Sequence, residues 1–454
     1  MAVHGRGDIT ELLYLGLYAL QHRGQEGAGM VTHNGQKTRI IRGLGLVPDS
    51  MTHAARARIP GYMGIGHVRY ATTGKATKLR NVQPLLVDYK GGKLAVAHNG
   101  NFVNARALRS ELESNGSIFQ TTTDSELLLH LIARSKAKNL VDGFCEILER
   151  IEGACTCVAL NEEIILGYRD PMGFRPLSLG EHDGMWMFAS ETCALDIIGA
   201  RHVRDLEPGE LVVLDGKRAR TVAKLGGATK PSLCIFEQIY FSRPDSILFG
   251  ESVNAVRRRL GHLLAQRHPA EADFVISIPD SSNSAALGFA EASGLPFELG
   301  LIRNHYIGRT FIQPEQSSRI DSVRIKFNPV REILDGKRVV VVDDSIVRGT
   351  TSRKLVEALY ESGAREIHFR VSSPPITSPC YYGIDTPSRD ELIASKKNVE
   401  MIRRFISATS LGFLTEEDLR AAVKDPDHYC MACFNGAYPT RTPEDARTLL
   451  FDRD

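Results

Sequence analysis

The most specific chemical pattern in the chain is a run of valines that ends in two carboxylates, VVVVDDSIVRGTT at residues 339–351. The apolar run predicts a buried strand, and the small polar residues after it predict a loop that leads into a helix. Backbone amides at a helix N-terminus bind anions, so this loop could hold a monophosphate. The carboxylates of Asp343 and Asp344 would suit sugar hydroxyls and a hard cation such as Mg²⁺. A lone Asp-Asp pair can instead cap the next turn, but the complete pattern favours a ligand site.

A second predicted strand also ends in small polar residues, in the sequence ISIPDSS at 276–282. Ligands of parallel sheets bind at the carboxyl ends of the strands, so both loops belong on the same side. A third segment, residues 303–313, lies between them and contains Gly308 and Arg309. An ordinary polar loop would have a similar composition.

These three segments resemble the phosphoribosyl pyrophosphate (PRPP) site of type I phosphoribosyltransferases. The resemblance implies that Asp343 and Asp344 bind the ribose hydroxyls and a Mg²⁺ ion, which Ser281 would also touch. It implies that residues 303–313 form a loop that closes over PRPP. The residues implied to surround PRPP and its 5′-phosphate also include Ser345, Arg348, Gly349, Thr350 and Thr351.

The first half of the chain carries four short polar motifs, each of which could be an ordinary turn or strand end. Asn-Gly pairs, for instance, are common in hairpins, and Arg69 and Asp124 could be solvated charges. In sequence order the motifs are QHRGQE (21–26), HVRYATTG (67–74), AHNGN (97–101) and TDSE (123–126).

Together these motifs resemble the glutaminase domain of class II glutamine amidotransferases, which has an N-terminal-nucleophile hydrolase fold. The resemblance implies that Arg69 grips the glutamine carboxylate in a bidentate manner and that Asp124 holds the α-ammonium group. Asn99 and Gly100 would form the oxyanion hole for the tetrahedral intermediate. Arg23 would line the glutamine site near the nucleophile.

A glutaminase domain followed by a PRPP site resembles the amidophosphoribosyltransferase family over essentially the whole chain. The resemblance implies synthesis of 5-phosphoribosylamine from PRPP and glutamine, the first committed step of purine synthesis. It also implies inhibition by purine nucleotides and a homotetramer. Further matching segments are YLGLYAL (14–20), DPMGFRP (170–176) and FEQIYFSRPD (236–245).

The nucleophile of that family, an N-terminal cysteine, is missing from the printed chain, which begins MAVHG and has no cysteine before Cys145. Its start could be mis-assigned, with the Cys-Gly pair upstream and a propeptide before it, and we favour this explanation. The chain could instead be an ammonia-dependent phosphoribosyltransferase with an inactive glutaminase domain, or a non-catalytic sensor of PRPP or nucleotides. The intact Asp343–Asp344 pair argues against the sensor. We expect the printed polypeptide not to hydrolyse glutamine.

Four of the eight cysteines could hold a metal group. Cys430 and Cys433 form a C-x-x-C pair, and Cys234 and Cys380 also lie in the second half. Four thiolates can bind Zn²⁺ or a 4Fe–4S cluster, and buried free thiols are the alternative. All four positions resemble the iron–sulfur branch of the family, which implies a 4Fe–4S cluster with a structural or oxygen-sensing role.

The two halves of the chain differ in their predicted secondary structure. Residues 1–226 alternate short strands and helices in a pattern typical of an α+β domain with antiparallel sheets. Residues 232–454 alternate strands with crossover helices, which predicts an α/β domain with a parallel sheet, followed by helices near 390–407 and 416–423. A Gly- and Pro-containing linker at 226–231 separates them. With the resemblance, the fold class is an N-terminal-nucleophile hydrolase (αββα) domain followed by a type I phosphoribosyltransferase domain.

The composition is that of an ordinary globular protein, with 43% hydrophobic and 24% charged residues over 454 positions. Its 56 basic and 54 acidic residues give a formal net charge of +2, which offers no strong field for nucleic acid or an anionic membrane. No apolar run approaches the roughly 18 residues that cross a bilayer, and no signal core follows Met1. We expect a cytoplasmic protein that binds neither nucleic acid nor membrane.

Overall fold

The first half of the chain forms two antiparallel sheets. The computed structural model describes residues 1–70, 78–226, 230–304 and 326–443. One sheet has the strand order β11-β9-β10-β1-β4-β2-β3 and the other β13-β12-β8-β7-β6-β5. In chain order the strands are β1 (Ala2–His4), β2 (Gly27–His33), β3 (Thr38–Leu44), β4 (Met63–Arg69), β5 (Leu85–Tyr89), β6 (Gly92–Phe102), β7 (Gly153–Leu160), β8 (Ile165–Arg169), β9 (Ser178–His182), β10 (Met185–Ala189), β11 (Arg201–Asp205), β12 (Glu210–Leu214) and β13 (Ala219–Lys224).

The two sheets pack face to face with helices on their outer sides. Ile65 of the first sheet and Val158 of the second belong to one buried cluster between the sheets. Leu17 packs on the outer face of the first sheet and Leu128 on that of the second, which gives the αββα layering that the resemblance implied. The helices of this half are α1 (Thr10–Ala19), α2 (Val47–Ser50), α3 (His53–Arg56), α4 (Ala105–Ser114), α5 (Glu126–Arg134), α6 (Leu140–Leu148) and α7 (Thr192–Asp196).

The second half is built on a parallel sheet of order β17-β20-β21-β22, which confirms the predicted fold class. Its strands are β14 (Leu233–Cys234), β15 (Ile247–Leu248), β16 (Glu251–Ser252), β17 (Phe274–Ser277), β18 (Leu301–Arg303), β19 (Phe327–Pro329), β20 (Arg338–Asp343), β21 (Glu366–Val371), β22 (Ser410–Phe413) and β23 (Tyr429–Cys430). Its helices are α8 (Val253–Arg267), α9 (Asn283–Ser293), α10 (Arg331–Leu334), α11 (Thr350–Glu361), α12 (Val399–Ile406), α13 (Glu416–Ala422) and α14 (Ala432–Asn435).

The valine run occupies strand β20 inside this sheet. Because side chains alternate along a strand, Val340 and Val342 face one core cluster and Val339 and Val341 face the other. All four are fully buried. The strand therefore ends with Asp343 at the carboxyl edge of the sheet, where ligands of such folds bind.

The charged helix predicted near 390–407 is shorter than expected. Helix α12 begins only at Val399, and two short 3₁₀ turns, Arg389–Glu391 and Ile393–Ser395, precede it. The Asn398 side chain accepts a hydrogen bond from the amide of Met401 at 2.9 Å and so fixes the start of the helix. Leu392 is fully buried between the two turns, a packing contact that the charge pattern could not reveal.

The boundary predicted between the two domains stays a prediction, because residues 227–229 lie outside the described residues. Soon after it, Glu237–Phe241 form a single π-helical turn. No helix in the described part of the chain is long and apolar enough to cross a membrane.

Candidate active site

The amide-binding motifs of the first half meet in one pocket, which we call the amide pocket. Strand β4, strand β6 and the segment before helix α5 supply most of its lining, and the second half adds Phe241 and Gly383. The lining from the first half is His67, Arg69, Tyr70, Gln83, His98, Asn99, Gly100, Thr123, Asp124 and Ser125. Four of the five residues predicted to bind or activate glutamine are thus brought together.

The predicted carboxylate clamp and ammonium clamp are both buried in this pocket. Arg69 donates from Nη1 to the carbonyl of Asn81 at 2.7 Å, and Asp124 accepts from the amide of Phe102 at 3.0 Å. Burial lowers the pKa of Arg69, while the charges of Glu26 and Asp124 oppose that shift. Opposite charges in one pocket match the two charged ends of an amino acid.

The predicted oxyanion pair lies on strand β6. Gly100 has a φ of +146°, and a Cβ atom there would lie 2.2 Å from the carbonyl oxygen of Ala154. Only glycine fits this position. A Cβ atom on Gly383 would lie 3.0 Å from the backbone of Gly100, so the second half packs directly on the candidate oxyanion hole.

His67 is a pocket residue that the sequence reasoning missed, although it opens the motif at 67–74. Its Nε2 lies 3.1 Å from the carbonyl oxygen of His98. A carbonyl only accepts hydrogen bonds, so Nε2 carries the proton of the neutral ring. Burial, with the positive charges of the Met1 amine and Arg69, lowers the pKa of His67 to about 3. His67 is therefore neutral at physiological pH.

Arg23, also predicted to bind glutamine, is not among the residues that line the amide pocket in the described structure. Its guanidinium bonds Glu191 at 2.5 Å and Glu237 at 2.7 Å, and it lies 4.7 Å from the Phe241 ring, which does line the pocket. Nearby, the buried Met1 amine donates to the carbonyl of Gly66. Burial and then the charge of Arg23 lower the pKa of this amine to about 5.

The residues predicted to bind PRPP and Mg²⁺ converge at the end of strand β20. The Ser281 hydroxyl donates to Oδ2 of Asp344 at 2.6 Å, and the Ser345 hydroxyl donates to Oδ1 at 2.7 Å. The Asp344 amide donates to Asp343 at 2.9 Å. Burial, and then its neighbour's charge, raises the pKa of Asp343, and burial raises that of Asp344. Two buried carboxylates side by side have the chemistry of a site for hydroxyls or a cation.

The loop after these carboxylates leads into helix α11 as predicted. Gly349 has a φ of +76° and precedes the first helical residue, Thr350. Thr350, Thr351 and Arg348 are exposed, and Arg348 pairs with Glu391 at 2.9 Å. The helix is long enough to present free amides to an anion at its N-terminus.

Two predicted segments fall largely outside the described residues. Within the predicted closing loop at 303–313, the structure describes Arg303, which pairs with Asp280 at 2.5 Å, and Asn304. The end of the motif at 67–74 also lies outside them, from residue 71 onward.

The four cysteines predicted to bind a cluster line one cavity, which we call the cysteine cavity. Strands β14 and β23 pair in parallel with Cys234 opposite Cys430, and Cys380 and Cys433 complete the set. Burial raises the pKa of Cys234 to about 11 and that of Cys430 to about 12. The other lining residues are Phe174, Phe236, Ile376, Tyr382, Ile384, Thr386, Ala432 and Tyr438.

The donor set of this cavity fits a thiolate-ligated group such as an iron–sulfur cluster or zinc. Arg175 places a guanidinium nitrogen 3.9 Å from the Cys234 sulfur, and the Tyr382 amide lies 3.3 Å from the Cys380 sulfur. Such donors stabilise thiolate charge. Among the described residues, however, no group of three or more His, Cys, Asp or Glu has the arrangement of a metal site. The Mg²⁺ ion at the carboxylate pair and the 4Fe–4S cluster at the four cysteines therefore stay predictions.

Comparison with known proteins gives matches over nearly the whole chain. Residues 67–196 match the family described as glutamine amidotransferase domain. The chain is 49% identical to amidophosphoribosyltransferase 1, chloroplastic, of Arabidopsis thaliana, over 98% of this chain and 79% of that protein. It is 47% identical to amidophosphoribosyltransferase of Bacillus subtilis, over 98% of this chain and 94% of that protein. The B. subtilis glutamine PRPP amidotransferase structure, complexed with ADP and GMP, superposes with a TM-score of 0.92 at 46% identity, covering 98% of both chains.

Proposed function

The chain belongs to the amidophosphoribosyltransferase family, and from that premise we propose that it converts PRPP to 5-phosphoribosylamine. A nitrogen–carbon bond forms at C1 of the ribose as the bond from C1 to the pyrophosphate oxygen breaks, and pyrophosphate leaves with the electron pair. The observation that carries this proposal is the buried pair Asp343 and Asp344, with the Ser281 hydroxyl 2.6 Å from Asp344.

We assign the substrate contacts of this site as follows. Asp343 and Asp344 accept hydrogen bonds from the ribose hydroxyls, and the amides and hydroxyls at 345–351 bind the 5′-phosphate. The same two carboxylates and Ser281 would hold Mg²⁺, which supplies positive charge beside the pyrophosphate when bound. Arg348 is exposed next to this loop and adds a cation for the phosphate.

We assign glutamine binding to the amide pocket. Arg69 would bind the carboxylate of glutamine, Asp124 its ammonium group, and Asn99 with Gly100 the developing oxyanion. Hydrolysis releases ammonia and glutamate, and ammonia is the nitrogen donor at the PRPP site. Hydrolysis also needs a nucleophile, and none of the described residues that line the pocket is a cysteine. Ammonium needs no hydrolysis, so it is the nitrogen donor that tests the PRPP site by itself.

Incorporation of labelled nitrogen tests the proposal. The protein is incubated with PRPP, Mg²⁺ and ¹⁵N-ammonium, and the product is examined by NMR for ¹⁵N bonded to C1 of the ribose. The proposal expects this bond to form in step with pyrophosphate release. Pyrophosphate release that yields ribose 5-phosphate without nitrogen would show hydrolysis only and would refute it.

We further propose that Cys234, Cys380, Cys430 and Cys433 hold a 4Fe–4S cluster with a structural role. The support is their convergence on one buried cavity. Replacing Cys433 by Ser is expected to abolish bound iron and acid-labile sulfide in anaerobically purified protein, because one of four ligands is lost. Cys145 lies outside the cavity, so Cys145→Ser is the matched control and should keep both the iron and the sulfide. Wild-type protein that contains zinc, or no metal, would contradict the cluster.

The same family membership supports two proposals on partners. The homologous B. subtilis structure is described as a complex with ADP and GMP, so purine nucleotides are proposed as inhibitors of this chain. A homotetramer in the cytoplasm is likewise proposed. Sedimentation with and without each nucleotide would test the assembly, and pyrophosphate release would test the inhibition.

A further inference from the structure

Arg175 places a buried positive charge beside the cysteine cavity. It lies in the loop between strands β8 and β9 and is 1% exposed. Its Nη1 atom lies 3.9 Å from the Cys234 sulfur and donates to Oε1 of Glu237 at 2.9 Å. The guanidinium therefore contacts one of the four predicted ligands, and an ion pair fixes its position.

The same side chain also holds the segment of a second ligand. The Nε atom of Arg175 donates to the carbonyl of Tyr382 at 3.1 Å, and the amide of Tyr382 lies 3.3 Å from the Cys380 sulfur. The Tyr382 ring stacks on the ring of Phe174 with their centroids 4.0 Å apart, and both residues line the cavity. Arg175 thus contacts the surroundings of Cys380 as well as Cys234 itself.

One nitrogen of this guanidinium lacks an acceptor. Arg175 Nη2 is buried, and within the part of the chain that the structure describes it forms no hydrogen bond. Buried donors are almost always paired, because an unpaired donor lowers the stability of the folded state. Nη2 belongs to the same planar fork as Nη1, which contacts Cys234. An acceptor bound in the cysteine cavity would give Nη2 a partner.

The group proposed for this cavity would be such an acceptor. Cysteines bind metals as thiolates, so a 4Fe–4S cluster with four of them carries a net negative charge. The other residues that line the cavity carry no charge. Burying a negative charge without a nearby cation is unfavourable. The Arg175 guanidinium supplies both a positive charge and a free donor beside the ligands.

We infer that Arg175 is a positioning residue for the group held in the cysteine cavity. Its guanidinium offsets part of the negative charge of that group, donates a hydrogen bond to it and so slows its loss from the protein. Partners of metal ligands commonly change metal affinity by about tenfold or more. The inference rests on the 4Fe–4S cluster proposed above.

Anaerobic release of iron to a chelator measures this retention. Bathophenanthroline disulfonate forms a coloured complex with ferrous iron, so absorbance follows iron release from each cluster-loaded protein. Arg175→Met removes the charge but keeps much of the volume, and it should release iron about tenfold faster than the wild type or more. Arg175→Lys keeps the charge without the planar fork and should release iron at an intermediate rate.

Glu237→Gln is the matched control for these variants. It breaks the ion pair of Arg175 with Glu237 but leaves the guanidinium beside Cys234, so it should release iron at the wild-type rate. Release from Arg175→Met at the wild-type rate would overturn the inference. Equally fast release from Glu237→Gln and Arg175→Met would also overturn it, because iron would then leave through a general loss of stability.

Pulsed electron paramagnetic resonance on the wild type tests the hydrogen bond without a variant, and it decides the matter if Arg175→Met does not fold. The protein is produced with arginine labelled with ¹⁵N in the guanidinium, and radiolysis of the frozen sample supplies the electron that makes the cluster paramagnetic. We expect a hyperfine coupling between ¹⁵N and the cluster. Absence of this coupling in protein that contains iron and sulfide would overturn the inference alone. Wild-type protein without iron and sulfide would overturn the proposed cluster and the inference with it.

Discussion

At the level of single residues, the PRPP site keeps two carboxylates buried side by side. Burial and mutual repulsion raise the pKa of Asp343, and burial raises that of Asp344. A carboxyl whose pKa is higher in the folded state than in the unfolded state binds its proton more tightly when folded. Ionisation of the pair at neutral pH therefore lowers the free energy of unfolding. The site keeps two carboxylates that bind ligands at the expense of stability.

Because the buried carboxylates lower stability but bind ligands, Asp343→Asn should have opposite effects on activity and on stability. Pyrophosphate release should fall on the order of a hundredfold, because one carboxylate of the site is lost. The free energy of unfolding at pH 7 should rise by about 1 kcal/mol, because one buried charge is removed. Below about pH 3 the wild-type carboxyl is largely protonated in both states, so the difference in stability should vanish.

Activity assays with ammonium and denaturant titrations at pH 7 and about pH 3 check both parts. Asp390→Asn, whose side chain is 85% exposed, is the matched control and should change neither quantity. A variant that loses activity and is also less stable at pH 7 would show that Asp343 is held by interactions other than those described.

The amide pocket makes a separate residue-scale prediction. Arg69→Lys should weaken glutamine binding by about tenfold or more, because lysine cannot form the bidentate pair with a carboxylate. Ammonium-dependent pyrophosphate release should be unchanged, because the PRPP site is untouched. Calorimetry with glutamine and the pyrophosphate assay measure the two, with the exposed Arg80→Lys as control. Equal loss of glutamine binding and of ammonium-dependent pyrophosphate release would contradict the assignment of the two ligands to separate pockets.

At the level of elements, a buried ionic network joins the two halves of the chain. Glu237 of the second half bonds Arg23 at 2.7 Å and Arg175 at 2.9 Å, both from the first half. In the reverse direction, Glu191 of the first half accepts from the Arg243 amide at 2.9 Å and from the Ser246 hydroxyl at 2.7 Å. The turn Glu237–Phe241 that carries Phe241 into the amide pocket is thus fixed from both sides.

Glu237→Gln tests this network. Burial disfavours ionised Glu237, but the charges of Arg23 and Arg175 outweigh it and lower the pKa of the carboxyl. The variant leaves both arginines short of a counter-charge, so it should be destabilised on the order of 3 kcal/mol at pH 7. Because the folded-state pKa is lowered, this contribution is present above about pH 4.3 and is lost as the pH falls through the folded-state pKa.

Thermal unfolding across this pH range measures the effect. The matched control is Glu207→Gln, whose partner Lys224 lies on the surface with both side chains 63% exposed, and it should change stability little. A Glu237→Gln protein as stable as the wild type at pH 7 would show that the network does not hold the two halves together.

Much of this element-scale arrangement was accessible from the sequence. The valine run at 339–342 predicted a buried strand because its hydrophobicity is continuous. The position of the two carboxylates at the end of that strand was predictable for the same reason. The start of helix α12 was not predictable, because the burial of Leu392 depends on tertiary packing. His67 was missed because a histidine inside a strand carries no local signal of the pocket it faces.

At the level of the whole molecule, the amide pocket is completed by residues that no local pattern could place there. Phe241 and Gly383 come from the second half and close a pocket whose other residues lie between 67 and 125. The Asn101 side chain likewise donates to the carbonyl of Tyr381 at 3.0 Å. Sequence motifs identified the two sites separately, whereas only the folded chain shows that the second half contributes residues to the amide pocket.

The function proposed for this chain is to join nitrogen to PRPP at the carboxylate pair, and pyrophosphate release from PRPP and Mg²⁺ measures it. Release is expected with ammonium, and its loss is expected in Asp343→Asn. No release with ammonium from folded protein that binds PRPP would contradict the claim.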